Sequence, residues 1–214
     1  MAFALEECTE ADMPRLSEIM SLAFAHDHEY IESVFPALDT PTGRGEGAER
    51  MLATKRSDPN TTFIKVVNDE GTMIAGAKWN VYNGVVPPAP QLTGDYWSNG
   101  DEMEFARNMF DRYLVPRLTY VQNSGGNLVV LDMLVVDPIH QRQGAGRMLV
   151  RWGTAVADRL GVEAVVEASD YGRGLYAQEG FIVLEKYLVL VPDKSAARRK
   201  QWYMWMKRPA QART

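Results

Sequence analysis

The chain has 214 residues, 46% of them hydrophobic and 24% charged, a length suited to one domain with a full core. Its net charge of −5 supplies no positive field for nucleic acid or anionic lipid, and the lone cysteine, Cys8, excludes an internal disulfide and fits a reducing compartment. No stretch reaches the roughly 18 apolar residues of a membrane span, and the first residues lack a basic segment followed by an apolar one, so a cytoplasmic protein without a signal peptide is expected.

A first strand ending near Cys8 leads into Thr9-Glu10-Ala11-Asp12, which are helix-starting residues, and Leu16, Ile19, Met20, Ala23 and Phe24 follow at helical spacing. A short amphipathic stretch is expected over 27–35. Residues 36–47, rich in Pro and Gly, read as a loop and 48–55 as a helix. Residues 61–67 and 73–82 read as two strands joined by the turn Asn68-Asp69-Glu70-Gly71. Residues 84–100, with Pro87, Pro88 and Pro90, read as irregular; 101–120 read as a helix with Phe105, Met109, Tyr113 and Leu114 on one face, broken near Pro116 and ended by Gly125-Gly126. A buried strand over 127–136 precedes a helix over 143–160, with Met148, Leu149, Trp152 and Val156 on one face and Gly161 as its stop. Strand 162–168, helix 171–179, strand 181–191, a polar and basic tail at 193–200 and a last strand at 201–206 complete the order. This alternation is that of an α/β protein with a mixed sheet. A single domain over 1–214 is expected, with an insertion at about 83–126 between the third and fourth strands.

Chemistry concentrates after the strand Leu131-Asp132-Met133-Leu134-Val135-Val136. Asp137-Pro138-Ile139-His140 follows it, and Gln141-Arg142-Gln143-Gly144-Ala145-Gly146-Arg147 opens a long helix. The first turn of a helix carries unpaired N–H groups and partial positive charge, so it binds phosphate. Gly144 and Gly146 let the backbone approach a bulky anion, and Arg142 and Arg147 add charge beside it. A dinucleotide loop needs a third glycine where Leu149 stands, and a P-loop needs Gly-Lys-Ser/Thr where Gly146-Arg147-Met148 stands, so neither pattern is met. The plainer alternative is that two glycines shape a tight strand-to-helix turn.

The pattern Gln/Arg-x-x-Gly-x-Gly/Ala after a strand ending in Val-x-Pro resembles the coenzyme A loop of the GNAT N-acetyltransferase superfamily. Tyr176-x-x-x-Gly180-Phe181, downstream of the next strand, resembles that superfamily's Tyr-x-x-x-Gly-Phe signature. The loop run through Met148-Leu149 is also similar to a fungal subgroup. The resemblance implies the GNAT fold, a mixed central sheet flanked by helices, and acetyl-CoA as cofactor. It implies that Leu134, Val135 and Val136 pair with the pantetheine arm, that Gln141, Arg142, Gln143, Gly144, Ala145, Gly146 and Arg147 hold the pyrophosphate, and that Tyr176 serves the leaving thiolate as proton donor. The alternative for Tyr176 is a core aromatic packed against Phe181. Ser169 stands where many family members carry an asparagine contacting the cofactor, and Gly172 where an alanine is usual.

A general base is harder to place. Asp132, a carboxylate in an apolar strand, is the first candidate, with pairing to a polar neighbour as its alternative. Glu29 and Tyr30, in the early helices that usually cover the acceptor in this superfamily, come next, and Glu167 third, with a structural strand role as its leading alternative. Cys8 has no supporting histidine pattern for covalent catalysis. His26, His28 and His140 are too scattered for a metal; His26 and His28 read as solvated surface, with lining of the acceptor pocket as the alternative. The insertion either walls the acceptor site or buries a sheet face. Lys194, Arg198, Arg199 and Lys200 read as a solvated tail or as partners for the cofactor's 3′-phosphate. The expected partner is a small-molecule amine acceptor, the alternatives being a protein lysine or N-terminus, or a non-catalytic acyl-CoA sensor. A monomer or homodimer is expected.

Overall fold

Residues 2–24, 28–191 and 202–211 are described by the computed structural model. Strands β1 (Ala4–Glu7), β2 (Thr61–Val67), β3 (Met73–Asn83), β4 (Asn127–Val136), β5 (Glu163–Ala168), β6 (Ile182–Leu188) and β7 (Trp202–Arg208) form one sheet in the order β1-β2-β3-β4-β5-β7-β6. Every pair is antiparallel except β4–β5. β4 lies mid-sheet and is covered on both faces, which is why its sequence is a near-continuous apolar run instead of an alternating one.

Helices α1 (Met13–Phe24), α2 (Glu29–Val34), α3 (Pro41–Ser57), α4 (Gly100–Tyr113) and α5 (Val115–Asn123) cover one face, and α6 (Ala145–Leu160) and α7 (Asp170–Gln178) the other. α6 turns Leu149, Val150, Val156 and Ala157 onto the sheet. Trp79 of β3 is fully buried against it, and its indole N–H donates to the Leu149 carbonyl at 3.2 Å. The ring fits because α6 has glycine at 153, where a Cβ would meet Trp79 Cζ2 at 2.3 Å.

α3 begins at Pro41, well before the expected 48. Its start is a capped turn: the Thr40 hydroxyl accepts from the Gly43 N–H at 3.1 Å, and Pro41 occupies the first turn, where its missing N–H costs nothing. The glycines that read as loop residues serve packing instead, since a Cβ at Gly43 would lie 2.1 Å from the Ala37 carbonyl oxygen. The 101–120 helix is two, divided at Leu114, with Pro116 accepted in the first turn of α5. Both lie in the insertion and bury the sheet: Tyr113 meets Tyr203 of β7 edge-on at 4.8 Å, and Val121 joins Leu128, Val130, Val165 and Trp205. His26, Lys194, Arg198, Arg199 and Lys200 lie outside the described residues.

Candidate active site

The site begins where the sheet splits. β4 and β5 pair from Leu128–Glu163 to Leu131–Val166 and no further, whereas β3 follows β4 along its other edge to Val136. Among the described residues the β5-facing edge of β4 beyond Leu131 therefore lacks a ladder partner, and its polar groups need others. The β3–β4 register shifts here as well: Lys78 pairs with Met133 and Trp79 with Leu131, so Asp132 is the extra residue of a β-bulge.

Below the fork, the buried Asp137 side chain accepts from Arg15 Nη2 at 2.6 Å and from the Ile139 N–H at 3.2 Å, which pins the exit of β4. The chain then turns through Arg142 (φ 63°) and Gly144 (φ 101°), both left-handed. Gly144 starts α6, and among the described residues no side-chain cap bond forms there; the N–H groups of Ala145, Gly146 and Arg147 have no intrahelical acceptor. A Cβ at Gly144 would meet nothing within 4 Å, so open space lies beside that turn. Arg147 is steadied by Gln178 Oε1 at 2.5 Å and Glu179 Oε1 at 3.0 Å.

Fork and turn open into one cleft of about 1150 Å³. Leu134, Val135 and Val136 line it from the strand, Gln141 and Arg142 from the loop, Gly144, Ala145, Gly146 and Arg147 from the helix start, and Ser169 from the start of α7. Gln143 does not line it; its amide donates back to the Ile139 carbonyl at 3.3 Å. Gln141 similarly donates to the Val136 carbonyl at 3.3 Å, occupying one acceptor of the exposed edge.

Tyr176 lines the cleft while remaining buried. Its ring lies 5.9 Å from that of Phe181 and over Gly172, where a Cβ would sit 2.7 Å from Tyr176 Cε2. Gly172 thus makes room for the phenol. Burial pushes the phenol's pKa up, so its proton is retained at neutral pH.

The base candidates do not reach the cleft. Asp132 accepts from Lys78 Nζ at 2.8 Å and pairs with Arg117 Nη1. Burial alone would raise its pKa, but Lys78 and Arg117 outweigh that and hold it well below the usual carboxylate range. Of the two readings of Asp132, general base or partner of a polar neighbour, the pairing is present, and a carboxylate so stabilised is a poor proton acceptor. Glu167 is clasped by Arg117, Nε to Oε1 at 2.9 Å and Nη2 to Oε2 at 2.6 Å; burial raises its pKa above the ordinary carboxylate value despite that pairing. Tyr30 stacks on Tyr113 at 3.9 Å, and burial drives its pKa up; Glu29 is buried in the same helix.

His28, read first as surface and alternatively as pocket lining, is buried and lines the cleft beside Ala23 and Phe24. Its ring meets Phe24 edge-on at 4.8 Å and lies 5.6 Å from Tyr203, and its Nδ1 accepts from the Ile31 N–H at 3.4 Å, capping α2. Burial lowers its pKa from 6.5 to about 4. Its burial and capping role have no local signal, since histidine is not a preferred cap and the burial depends on Tyr203 from the far end of the chain. Cys8 is buried, and burial, then Asp12, push its thiol up to about 12. Among the described residues no group of three or more His, Cys, Asp or Glu side chains is placed to hold a metal, and no helix is long and apolar enough to cross a membrane. No residue of the insertion lines the cleft.

The profile of the acetyltransferase (GNAT) family matches residues 28–181, from His28 to Phe181. The chain belongs to that family. Its fold is shared with solved GNAT-type structures. A Corynebacterium glutamicum protein described as histone acetyltransferase HPA2 and related acetyltransferase superposes with a TM-score of 0.63 at 15% identity, covering 100% of this chain and 99% of that one. A Sinorhizobium meliloti phosphinothricin acetyltransferase in complex with AcCoA gives 0.57 at 16% identity, covering 98% and 89%. The Escherichia coli ribosomal-protein-S18-alanine N-acetyltransferase gives 0.56 at 17% identity, covering 100% and 97%. Comparison with curated proteins finds no match.

Proposed function

We propose that this GNAT protein is one catalytic domain over its whole length that binds acetyl-CoA in the cleft and acetylates the primary amine of a small molecule. The observation that carries the reading is the continuity of the unpaired β4 edge with the uncapped start of α6 inside one cleft. A peptide-like pantetheine arm needs hydrogen-bond partners once desolvated, and Leu134, Val135 and Val136 would supply them as an added strand does. The N–H groups from Gly144 to Arg147, with the Arg142 and Arg147 guanidinium groups, would hold the pyrophosphate, and Ser169 a polar group of the arm. When bound, acetyl-CoA supplies an acetyl group activated as a thioester.

The remaining chemistry belongs to the chain. Tyr176 keeps its proton and faces the cleft, so it can hand that proton to a departing thiolate. Cys8 is buried away from the cleft with its thiol pKa near 12, which supports direct attack by the amine over an acyl-cysteine route. With Asp132, Glu29 and Tyr30 away from the cleft, the acceptor is taken up as the free amine and sheds its second proton to water. The side of the cleft formed by Ala23, Phe24 and His28 is backed by the Tyr30–Tyr113–Tyr203 aromatic group, which favours a small acceptor over an extended peptide.

Thermal unfolding with and without acetyl-CoA tests the reading. At about 100 times its dissociation constant a ligand stabilises the native state by about 2.7 kcal/mol, which moves the melting point by a few degrees. The shift is expected in the wild type and lost in Gly144→Trp, whose side chain would enter the open space beside the turn. No shift in the wild type would reduce the glycine loop to a turn.

A further inference from the structure

The last paired residues of β4 and β5 are Leu131 and Val166, so Asp132 and Glu167 are the first residue on each strand beyond the ladder. Both are acidic, in strands otherwise apolar at this level, and both point to the face covered by the insertion. One side chain joins them. Arg117 of α5, itself buried, places Nη1 on Asp132 Oδ1, Nε on Glu167 Oε1 at 2.9 Å and Nη2 on Glu167 Oε2 at 2.6 Å. Lys78 of β3 takes the second Asp132 oxygen at 2.8 Å, so two cations and two anions close a neutral set. A second tether from the insertion reaches the same residue of β5, where Tyr113 Oη donates to the Glu167 carbonyl at 3.4 Å.

We propose that Arg117 is a positioning residue that fixes how far β4 and β5 part, so that the insertion tunes cofactor binding without touching the cleft. Where the ladder stops, no backbone hydrogen bond sets the strand separation; the planar guanidinium does so in its place, because its fork engages both carboxylates at fixed spacing. A lysine reaches one carboxylate at a time and cannot hold that spacing. The inference rests on the acetyl-CoA reading of the cleft.

The test is calorimetric titration of Arg117→Lys with acetyl-CoA well below its melting temperature. Arg208→Lys serves as control, because Arg208 makes an equally bidentate pair with Asp158, at 2.6 and 2.9 Å, away from the fork. Arg117→Lys is expected to weaken acetyl-CoA binding tenfold or more while Arg208→Lys leaves it unchanged, even if both melt earlier than the wild type. Glu167→Gln, which keeps the shape and an acceptor oxygen, covers the case in which Arg117→Lys does not fold, and a weakening of threefold or more is expected of it. Wild-type affinity in folded Arg117→Lys, or equal weakening in both arginine variants, would make Arg117 a stability element only. A wild type that binds no acetyl-CoA would instead sink the cofactor reading itself.

Discussion

His28 gives the fold a stability that should depend on acid in a defined window. Unfolded, its imidazole titrates at 6.5; folded, burial against Phe24 and Tyr203 lowers that to about 4. Between those values the unfolded chain binds a proton that the native state refuses, so stability falls as the pH falls. The contribution is present in full above 6.5 and is gone below about 4. Linkage puts the loss at about 2 kcal/mol by about pH 5 and roughly 3 kcal/mol by about pH 4. His28→Asn is the matched variant, since asparagine is a favoured N-cap and can still accept from the Ile31 N–H, yet it does not titrate. Urea unfolding of both proteins at several pH values isolates the effect, because every other group is shared and cancels in the difference. The wild type is expected to lose stability relative to His28→Asn as the pH drops from about 7 to about 5. Parallel curves would refute the reasoning and place His28 in contact with water.

Gly153→Ala should destabilise, even though it removes a helix glycine that costs about 1 kcal/mol in an open site. The new methyl would lie 2.3 Å from the fully buried Trp79 ring, so a net loss of about 2 kcal/mol is expected in urea unfolding, and a raised midpoint would contradict the packing argument. Tyr176→Phe keeps the ring over Gly172 and against Phe181 but removes the hydroxyl. A fall of about a hundredfold in kcat with unchanged acetyl-CoA affinity is expected; an unchanged kcat would leave Tyr176 as packing alone.

The β2–β3 hairpin and β4 were legible because local chemistry and burial agree there: β-branched runs, a turn of Asn68 to Gly71, and an apolar strand covered on both faces. α3 was not, because its glycines answer to neighbours: Gly43 to Ala37, and Gly47 to the Ser17 hydroxyl 2.9 Å from a Cβ placed there. The same division runs through the site. Gly144 and Gly146 mark the glycine start of α6 within a few residues of sequence. The roles of Asp132 and His28 depend on Lys78, Arg117 and Tyr203, which only the β3–β4 register, the insertion and the last strand bring near.

Asp132 shows why an acidic residue in an apolar strand is an ambiguous signal. Its cost of burial is offset by two cations, and what the protein gains is geometry. Without the bulge, strict alternation would carry the inward-facing order of Val129 and Leu131 on to Met133 and Val135. With one extra residue, Met133 and Val135 turn to the α1 side, while Leu134 and Val136 turn to the α6 side. Leu134 and Val136 therefore continue the wall that Gly146 approaches, with a Cβ there 3.5 Å from Val136 and 3.8 Å from Leu134. The bulge re-aims the strand at the level where β5 leaves it, and the charged set at Asp132 and Glu167 marks that level. In this protein the buried carboxylates build the cleft from behind, and the groups that face its contents are an edge of backbone, a helix start and a phenol.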